Sequence, residues 1–391
     1  MKWMIPWDKL GNEQREIIDS VASMKAKVSW INGHAGSGKS IVLLQSIADY
    51  LKKNPNKRVC VVVFTRALVD LLEIGIKQIP QLEKRSVPVL TIYQLKYRLA
   101  NGGVNYDTIF CDEVQDIPLS FFLDMKNACS NLVVAGDSNQ SIYNKVPVFE
   151  ERPISVEELT SYINSDEKTS VVYRMTKSVT KMLSKVFSIF SSTRIAEKND
   201  SGINLNRFEN RNDELKWAWE KINNTNSLRP SDVCAILLYS HDSIQNFINT
   251  ILVSNGFNTF EFKKVGNGNE KWNYDGCNNY LTKSNVPLMY IGNNHGSLEE
   301  ADRTNKIVIM TYHSAKGLDF DYVLLPLLNH EMYLQSNVDS LLMVALSRSK
   351  QELVMTFTGS LYSYLDRFLA DIEVKEPSLI EEDEHDTEIW F

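Results

Sequence analysis

Residues Gly33 to Ser40 read GHAGSGKS, the spacing G-x-x-x-x-G-K-[ST]. Glycines so placed let successive backbone N–H groups turn toward phosphate oxygens. The following SIVLLQSIADYLKK has a helical pattern whose positive N-terminus meets the same anion. Gly33, His34, Ala35, Gly36, Ser37, Gly38, Lys39 and Ser40 therefore form a candidate phosphate-binding loop. Lys39 should reach the β and γ phosphates, and the Ser40 hydroxyl should ligate Mg²⁺. The alternative, a glycine-rich turn without ligand, is disfavoured by the strand VSWIN before it and the helix after it.

Downstream, DTIFCDEVQD places Asp112 and Glu113 where an apolar strand ends, the edge at which open α/β sheets bind ligands. Asp112 suits a metal ligand, and Glu113 suits orientation or deprotonation of an attacking water. An acidic pair after a strand is in isolation more often a solvated strand end; a phosphate loop upstream reverses that judgement. NLVVAGD then leads to Gln140, a neutral group able to hydrogen-bond phosphate or water. Arg174 in VVYRMTK and Arg348 in VALSRSK are candidate cations for a transferring phosphoryl group, supplied from the second half of the chain so that catalysis depends on closure.

The elements that must position these groups are short apolar runs between helical segments. VSWIN, VCVVVF, DTIFCDE and NLVVAGD come first, and CAILLYS, KIVIMTYHS, YVLLPLL and ELVMTFT follow. Two sets of buried parallel strands with interleaved helices are predicted, an α/β fold. The polar stretch 149–170 reads as the boundary, giving a first domain over 1–169 and a second over 170–370. An irregular, Gly- and Asn-rich region within the second reads as an insertion at about 262–306.

At 391 residues with 43% hydrophobic and 23% charged side chains, the chain lies in the globular range. Its net charge of −7 seems to disfavour a polyanion partner, but residues 371–391 hold nine carboxylates against one lysine, leaving 1–370 at +1. The five cysteines are odd in number, form no CxxC pair and sit largely in apolar runs, so they read as buried thiols in a reducing compartment. Without a long apolar stretch or a secretion signal, the expected location is the cytoplasm.

The set of motifs resembles superfamily 1 helicases of the UvrD/Rep/PcrA type. LGNEQREIIDS resembles the glutamine motif, GHAGSGKS motif I, VVVFTRALVDLL motif Ia, TIYQL motif Ib, and DEVQD motif II. GDSNQSIY resembles motif III, VVYRMTKSV motif IV, TYHSAKGLDFDYVLLP motif V, and VALSRSKQELVM motif VI. The resemblance spans residues 10–358 in family order. It implies two RecA-like P-loop domains, with ATP and Mg²⁺ between them. By position it puts Gln14 on the adenine, and makes Gln140 the γ-phosphate sensor and Arg174 and Arg348 arginine fingers. Gly317 and Asp319 would lie near the nucleotide, Asp319 replacing the family's usual Glu at the ribose. Thr65, Thr91, Tyr93, Thr311 and His313 fall in motifs that touch a single strand. After QSIY the family's aromatic is missing, and Tyr143 is the candidate replacement.

The resemblance also shows what is short. Only 46 residues separate Thr65 from Asp112 and 136 separate Arg174 from Thr311, so the family's accessory insertions are absent or rudimentary. The reading is an ATP-dependent DNA helicase or single-stranded DNA translocase, 3′ to 5′ by resemblance, with RNA in place of DNA as an alternative because backbone contacts alone discriminate poorly between the sugars. The alternative is a nucleotide-dependent regulatory subunit of a repair or anti-phage defence complex. The acidic tail 371–391, ending in Trp390 and Phe391, is a candidate dock for a protein partner. Lys177, Lys181 and Lys185 form a basic helical stripe read as a solvated face. Trp3 and Trp7 are read as anchors of the N-terminal segment, in preference to a lid over the base.

Overall fold

The computed structural model describes residues 3–377 apart from 103–104, 138–140, 147–148, 188–193, 197–199, 201, 266–270, 331, 333–337 and 371. Gln140 and residues 378–391 of the acidic tail lie outside the described residues.

The first sheet is wholly parallel. Its strands are β1 (Val28–Gly33), β2 (Val59–Val63), β3 (Val89–Thr91), β4 (Thr108–Cys111), β5 (Asn131–Gly136) and β6 (Ser165–Thr169), in the order β3-β2-β4-β5-β1-β6. Helices α1 (Asn12–Ala22), α2 (Lys39–Lys53), α3 (Arg66–Lys77), α4 (Ile92–Ala100), α5 (Leu119–Asn127) and α6 (Val156–Tyr162) connect them. β2 and β4 are buried along their whole length, which is why the sequence there is an unbroken apolar run rather than an alternating one.

A small parallel pair, β7 (Val171–Val172) and β8 (Arg194–Ile195), flanks α7 (Lys177–Phe187) and leads into a second parallel sheet. That sheet holds β9 (Ile203–Phe208), β10 (Cys234–Leu238), β13 (Leu288–Tyr290), β14 (Ile307–Thr311), β15 (Phe320–Leu325), β16 (Ser349–Thr358) and β17 (Val374–Lys375). Their order is β13-β14-β10-β15-β16-β9-β17. A separate hairpin pairs β11 (Lys264–Val265) with β12 (Lys271–Trp272). The helices are α8 (Arg211–Leu228), α9 (His241–Ser254), α10 (Tyr274–Lys283), α11 (Leu298–Arg303), α12 (Val338–Leu346) and α13 (Asp366–Leu369).

Alternate strand residues feed opposite faces, as the two-residue period requires. In β14, Val308 and Met310 join a cluster that continues into the first sheet through Ile31 and Val133. Ile307 and Ile309 face a separate cluster against α8, α9 and α10. The central apolar layer is therefore common to both sheets. The chain is an α/β protein built on two parallel sheets, as the alternating pattern predicts.

Three stretches hold more structure than their composition suggests. The polar stretch 149–170 contains α6 and β6, whose sequence SDEKT has no apolar run. It is an edge strand held by main-chain pairing to β1, so hydrophobic patterning could not find it. The proposed insertion over 262–306 contains β13, an edge strand of the second sheet, and α10, whose Tyr274, Cys277 and Leu281 are buried in the core. Among the described residues, the only strands there outside the sheet are the antiparallel pair β11–β12, whose Trp272 packs against the same core. Finally, β17 carries the second sheet past residue 370, beside β9, so the first residues of the predicted tail are structured.

Elsewhere, Lys177, Lys181 and Lys185 are exposed while Val179, Met182, Leu183 and Val186 are buried, matching the solvated-face reading. Trp219 is core and Trp217 packs at its rim against Phe208, ring centroids 5.4 Å apart. Among the described residues, no helix is long and apolar enough to cross a membrane.

Candidate functional site

The phosphate loop leaves the carboxyl end of β1 and enters α2, with Gly38 at the helix N-cap. Gly36 and Gly38 have φ of 77° and 85°, in the left-handed region. A Cβ on Gly38 would lie 2.6 Å from Gln14 Nε2, and one on Gly36 would lie 3.0 Å from Arg174 Cβ. Small size and backbone shape are thus both required. Lys39 Nζ donates to the carbonyls of Gly33 (2.9 Å) and His34 (3.1 Å), folding back over its own loop. Burial pushes its pKa down, against the opposing pull of Asp137, Glu113 and Asp112. The Ser37 hydroxyl is buried without a hydrogen-bond partner among the described residues, a polar atom left for something not of the chain.

Ser40 Oγ donates to Asp112 Oδ2 at 2.5 Å, bringing together the two oxygens the sequence nominated as metal ligands. Burial and the neighbouring Glu113 push the Asp112 carboxyl up to about 6. Glu113 itself sits at φ 57°, an uncommon setting for a side-chain-bearing residue, which turns its carboxylate off the strand end. Burial would raise its pKa, but Lys316, Lys39, the Gln115 amide and Arg348 outweigh it and hold it below the usual range. Gln115 Nε2 donates to Glu113 Oε2, and Gln115 Oε1 accepts from the Asp137 amide at 3.2 Å. That side chain ties the carboxylate to the end of β5.

Residues far apart in sequence close over this edge. The backbone amides of Tyr173 and Arg174 donate to Gly36 O at 2.9 and 3.1 Å, and Arg174 Nη1 lies 3.8 Å from Asp319 Oδ2. Arg348 is 1% exposed and donates to Val344 O, Leu318 O and Ser347 Oγ. Burial, then the like charge of Arg174, bring its pKa down to about 9. Burial lowers Arg174 as well. A cavity of about 290 Å³ brings together Gln14, Ala35, Gly36, Gly38, Lys39, Ser40, Glu113, Arg174, Gly317, Asp319 and Arg348. Trp3, Ile5, Ile41, Leu71, Tyr173 and Lys350 complete its wall. Of these the sequence reading had weighed only Trp3. Tyr173 could have been flagged as the aromatic beside Arg174.

A second cavity, of about 690 Å³, lies across the carboxyl ends of β2, β3, β13 and β14. It is lined by Thr65, Thr91, Tyr93, Tyr143 and His313, five of the six residues nominated for nucleic acid. Thr65 and Thr91 also cap α3 and α4, accepting from the Leu68 and Gln94 amides. Tyr143 stacks on Phe64, centroids 4.4 Å apart, which fixes one ring face and orients the other. The sixth, Thr311, is corrected: it is buried beneath the groove, where Oγ1 accepts the Ser314 amide at 3.2 Å and so shapes the turn that does line it. Burial lowers the His313 pKa, keeping the imidazole neutral at physiological pH. Phe64, Arg66, Asn293, Asn294 and His295 also line this groove and were not singled out; Phe64 follows β2, Arg66 opens α3, and the other three lie on a loop with no periodic signal.

The two cavities share one loop. Residues 311–319 present His313 and Ser314 to the groove and Gly317 and Asp319 to the smaller cavity. Between them Lys316 Nζ meets Asp116 Oδ2 at 2.6 Å, both side chains almost fully buried. This ion pair joins the segment after β4 to the segment after β14.

Two family models fit this layout. The sequence model of the AAA domain matches residues 14–145, and that of the UvrD-like helicase C-terminal domain matches residues 287–360. No curated protein matches the sequence. Among solved structures, the PRRSV helicase is similar at 12% identity and a TM-score of 0.44, covering 88% of this chain and 54% of its own. An Arterivirus nonstructural protein 10 (helicase) is similar at 14% identity and a TM-score of 0.42, covering 88% of this chain and 61% of its own. The chain thus spans between half and two thirds of the length of these proteins. With an AAA domain carrying the phosphate loop and a UvrD-like C-terminal domain carrying the groove loop and Arg348, the chain belongs to the UvrD-like superfamily 1 helicases.

Proposed function

We propose that the protein is an ATP-dependent translocase or helicase acting on single-stranded DNA, moving 3′ to 5′, in the cytoplasm. The observation that carries the proposal is electrostatic. The buried Arg348 and partly buried Arg174 line one small cavity with Lys39, outnumbering the carboxylates of Glu113 and Asp319 there, and the proximity of Arg174 lowers the Arg348 pKa. Burying like charges together is costly unless an anion completes the site, and a nucleoside triphosphate held by the phosphate loop would do so.

In this reading Lys39 exchanges its loop carbonyls for phosphate oxygens, and the α2 N-terminus faces the same charge. Glu113, held ionised, takes the proton of the attacking water, and Gln115 keeps its carboxylate aimed. Arg174 and Arg348 neutralise charge developing on the γ-phosphate. Ser40 and Asp112 offer hard oxygen donors already in contact, a pairing that fits Mg²⁺. When bound there, the metal neutralises charge on the phosphates. Loop 311–319, touching both cavities, carries closure around the nucleotide to the strand lying on Thr65, Thr91, Tyr93, Tyr143 and His313.

The test is ATP hydrolysis by wild type and Glu113→Gln, alone and with single-stranded DNA or RNA, at a fixed stated salt concentration because phosphate contacts are salt-dependent. Wild type should be stimulated by DNA. Glu113→Gln should bind ATP yet hydrolyse it at least about a hundredfold more slowly. Wild-type hydrolysis that no single strand stimulates would refute the motor reading, and preferential stimulation by RNA would move the substrate class.

A further inference from the structure

The cavity that holds the phosphate loop has two unlike ends. Around Lys39, Ser40, Glu113, Arg174 and Arg348 it is charged; on the side of Trp3, Ile5, Ile41 and Leu71 it is apolar. A phosphate chain accounts for the first end only. The apolar wall therefore awaits the opposite end of the ligand, an aromatic base.

Trp3 is held there by more than contact. Its indole Nε1 donates to Leu71 O at 3.0 Å, and its backbone amide and that of Met4 donate to Gln78 Oε1 at 3.1 and 3.0 Å. The ring lies on α3 at Gly75, where a Cβ would come within 2.4 Å of Trp3 Cζ2. Gly75 is thus the gap in α3 that lets the indole seat. Gln45 Nε2 also fixes the Ile5 carbonyl at 3.0 Å. Three hydrogen bonds hold the backbone of residues 3–5, and one from the indole itself, with the helix face at Gly75, orients a large π surface at the rim of the cavity. The backbone bonds anchor the segment; the indole bond and the Gly75 gap also turn the ring into the cavity wall, which Trp7, 43% exposed, does not line.

We propose that Trp3 is a base-contacting residue that makes this site selective for purine over pyrimidine nucleoside triphosphates. The proposal rests on the reading of the cavity as a nucleoside triphosphate site. A purine presents a larger face and edge to an aromatic wall than a pyrimidine, so the indole should favour ATP and GTP over CTP and UTP. Because Trp3's hydrogen bonds run to Leu71 and Gln78 and not to the phosphate loop or Glu113, its loss should appear mainly in KM.

The experiment measures KM and kcat for ATP, GTP, CTP and UTP with wild type, Trp3→Ala and Gly75→Ala. Alanine is the better helix former by about 1 kcal/mol, so Gly75→Ala should fold and act chiefly by displacing the indole. Both variants should raise KM for the purine nucleotides roughly tenfold, change kcat far less, and narrow the purine preference. A second readout is tryptophan fluorescence on ATP addition, with a wild-type change that Trp3→Phe loses. Unchanged purine KM in both folded variants would overturn the proposal, as would an equal loss for all four nucleotides. If wild type binds no nucleoside triphosphate at all, the proposed function itself falls.

Discussion

Removing one partner of the Asp116–Lys316 pair tests both the buried electrostatics and the way the two halves are joined. The nitrogen and oxygen are 2.6 Å apart, with side chains 3% and 1% exposed. Breaking such a pair commonly costs about 3–5 kcal/mol, because a charge is left buried and uncompensated. Here the two directions are unequal. Burial, only partly opposed by Lys316, raises the Asp116 carboxyl to about 6. In Lys316→Met the carboxyl escapes by taking up a proton. At pH 7.5 that is roughly 1.5 units from its titration point, about 2 kcal/mol at 1.36 kcal/mol per unit, and this caps the cost. In Asp116→Asn the ammonium is stranded instead, buried and without its counter-charge, so this variant should bear the larger cost. The sign with pH follows. A carboxyl whose folded pKa is raised above 3.8 binds more protons folded than unfolded, so through it wild-type stability falls as pH rises from about 4 to 6. At pH 5.5 wild-type Asp116 is already largely protonated, and the Lys316→Met deficit should shrink toward zero while that of Asp116→Asn persists. Urea denaturation followed by circular dichroism at pH 7.5 and 5.5 measures this. A Lys316→Met deficit as large at pH 5.5 as at pH 7.5, or an Asp116→Asn variant less perturbed than Lys316→Met, would refute the reasoning.

Three further outcomes are expected. Gly38→Ala places a Cβ 2.6 Å from Gln14 Nε2 at φ 85°, so it should cost about 1–2 kcal/mol and lower nucleotide affinity at least about tenfold, read by titration with a fluorescent ATP analogue. The kcat/KM for MgATP should fall as pH drops through about 6, because protonating Asp112 removes an oxygen donor; a flat profile between pH 7.5 and 5.5 would contradict that assignment. Tyr143→Ala removes the ring stacked on Phe64 and should weaken single-strand binding by about 1–3 kcal/mol. It should leave the slope of log affinity against log salt unchanged, since no phosphate charge is lost.

Much of this protein was legible in its sequence, for identifiable reasons. A phosphate loop must be Gly-rich, must follow a strand and must precede a helix, and all three are local conditions that GHAGSGKS and its flanks meet. Strands buried on both faces must be continuously apolar, so VCVVV and CAILL announce themselves. Elements stabilised by other means did not. β6, SDEKT, is polar because it is an edge strand; α10 was hidden in Gly- and Asn-rich sequence whose buried Tyr274, Cys277 and Leu281 share one face, and β13 is only three residues long. What the tertiary structure alone decided is which distant residues share a cavity. Nothing near Trp3 signals that α3 offers a glycine gap to seat its indole, and nothing near Lys316 signals a carboxylate two hundred positions earlier. Local pattern encodes backbone geometry, because that geometry is set by neighbours in sequence. Charge pairing and burial depend on what the chain crossing brings close, and so are settled only when the two sheets pack against their common apolar layer.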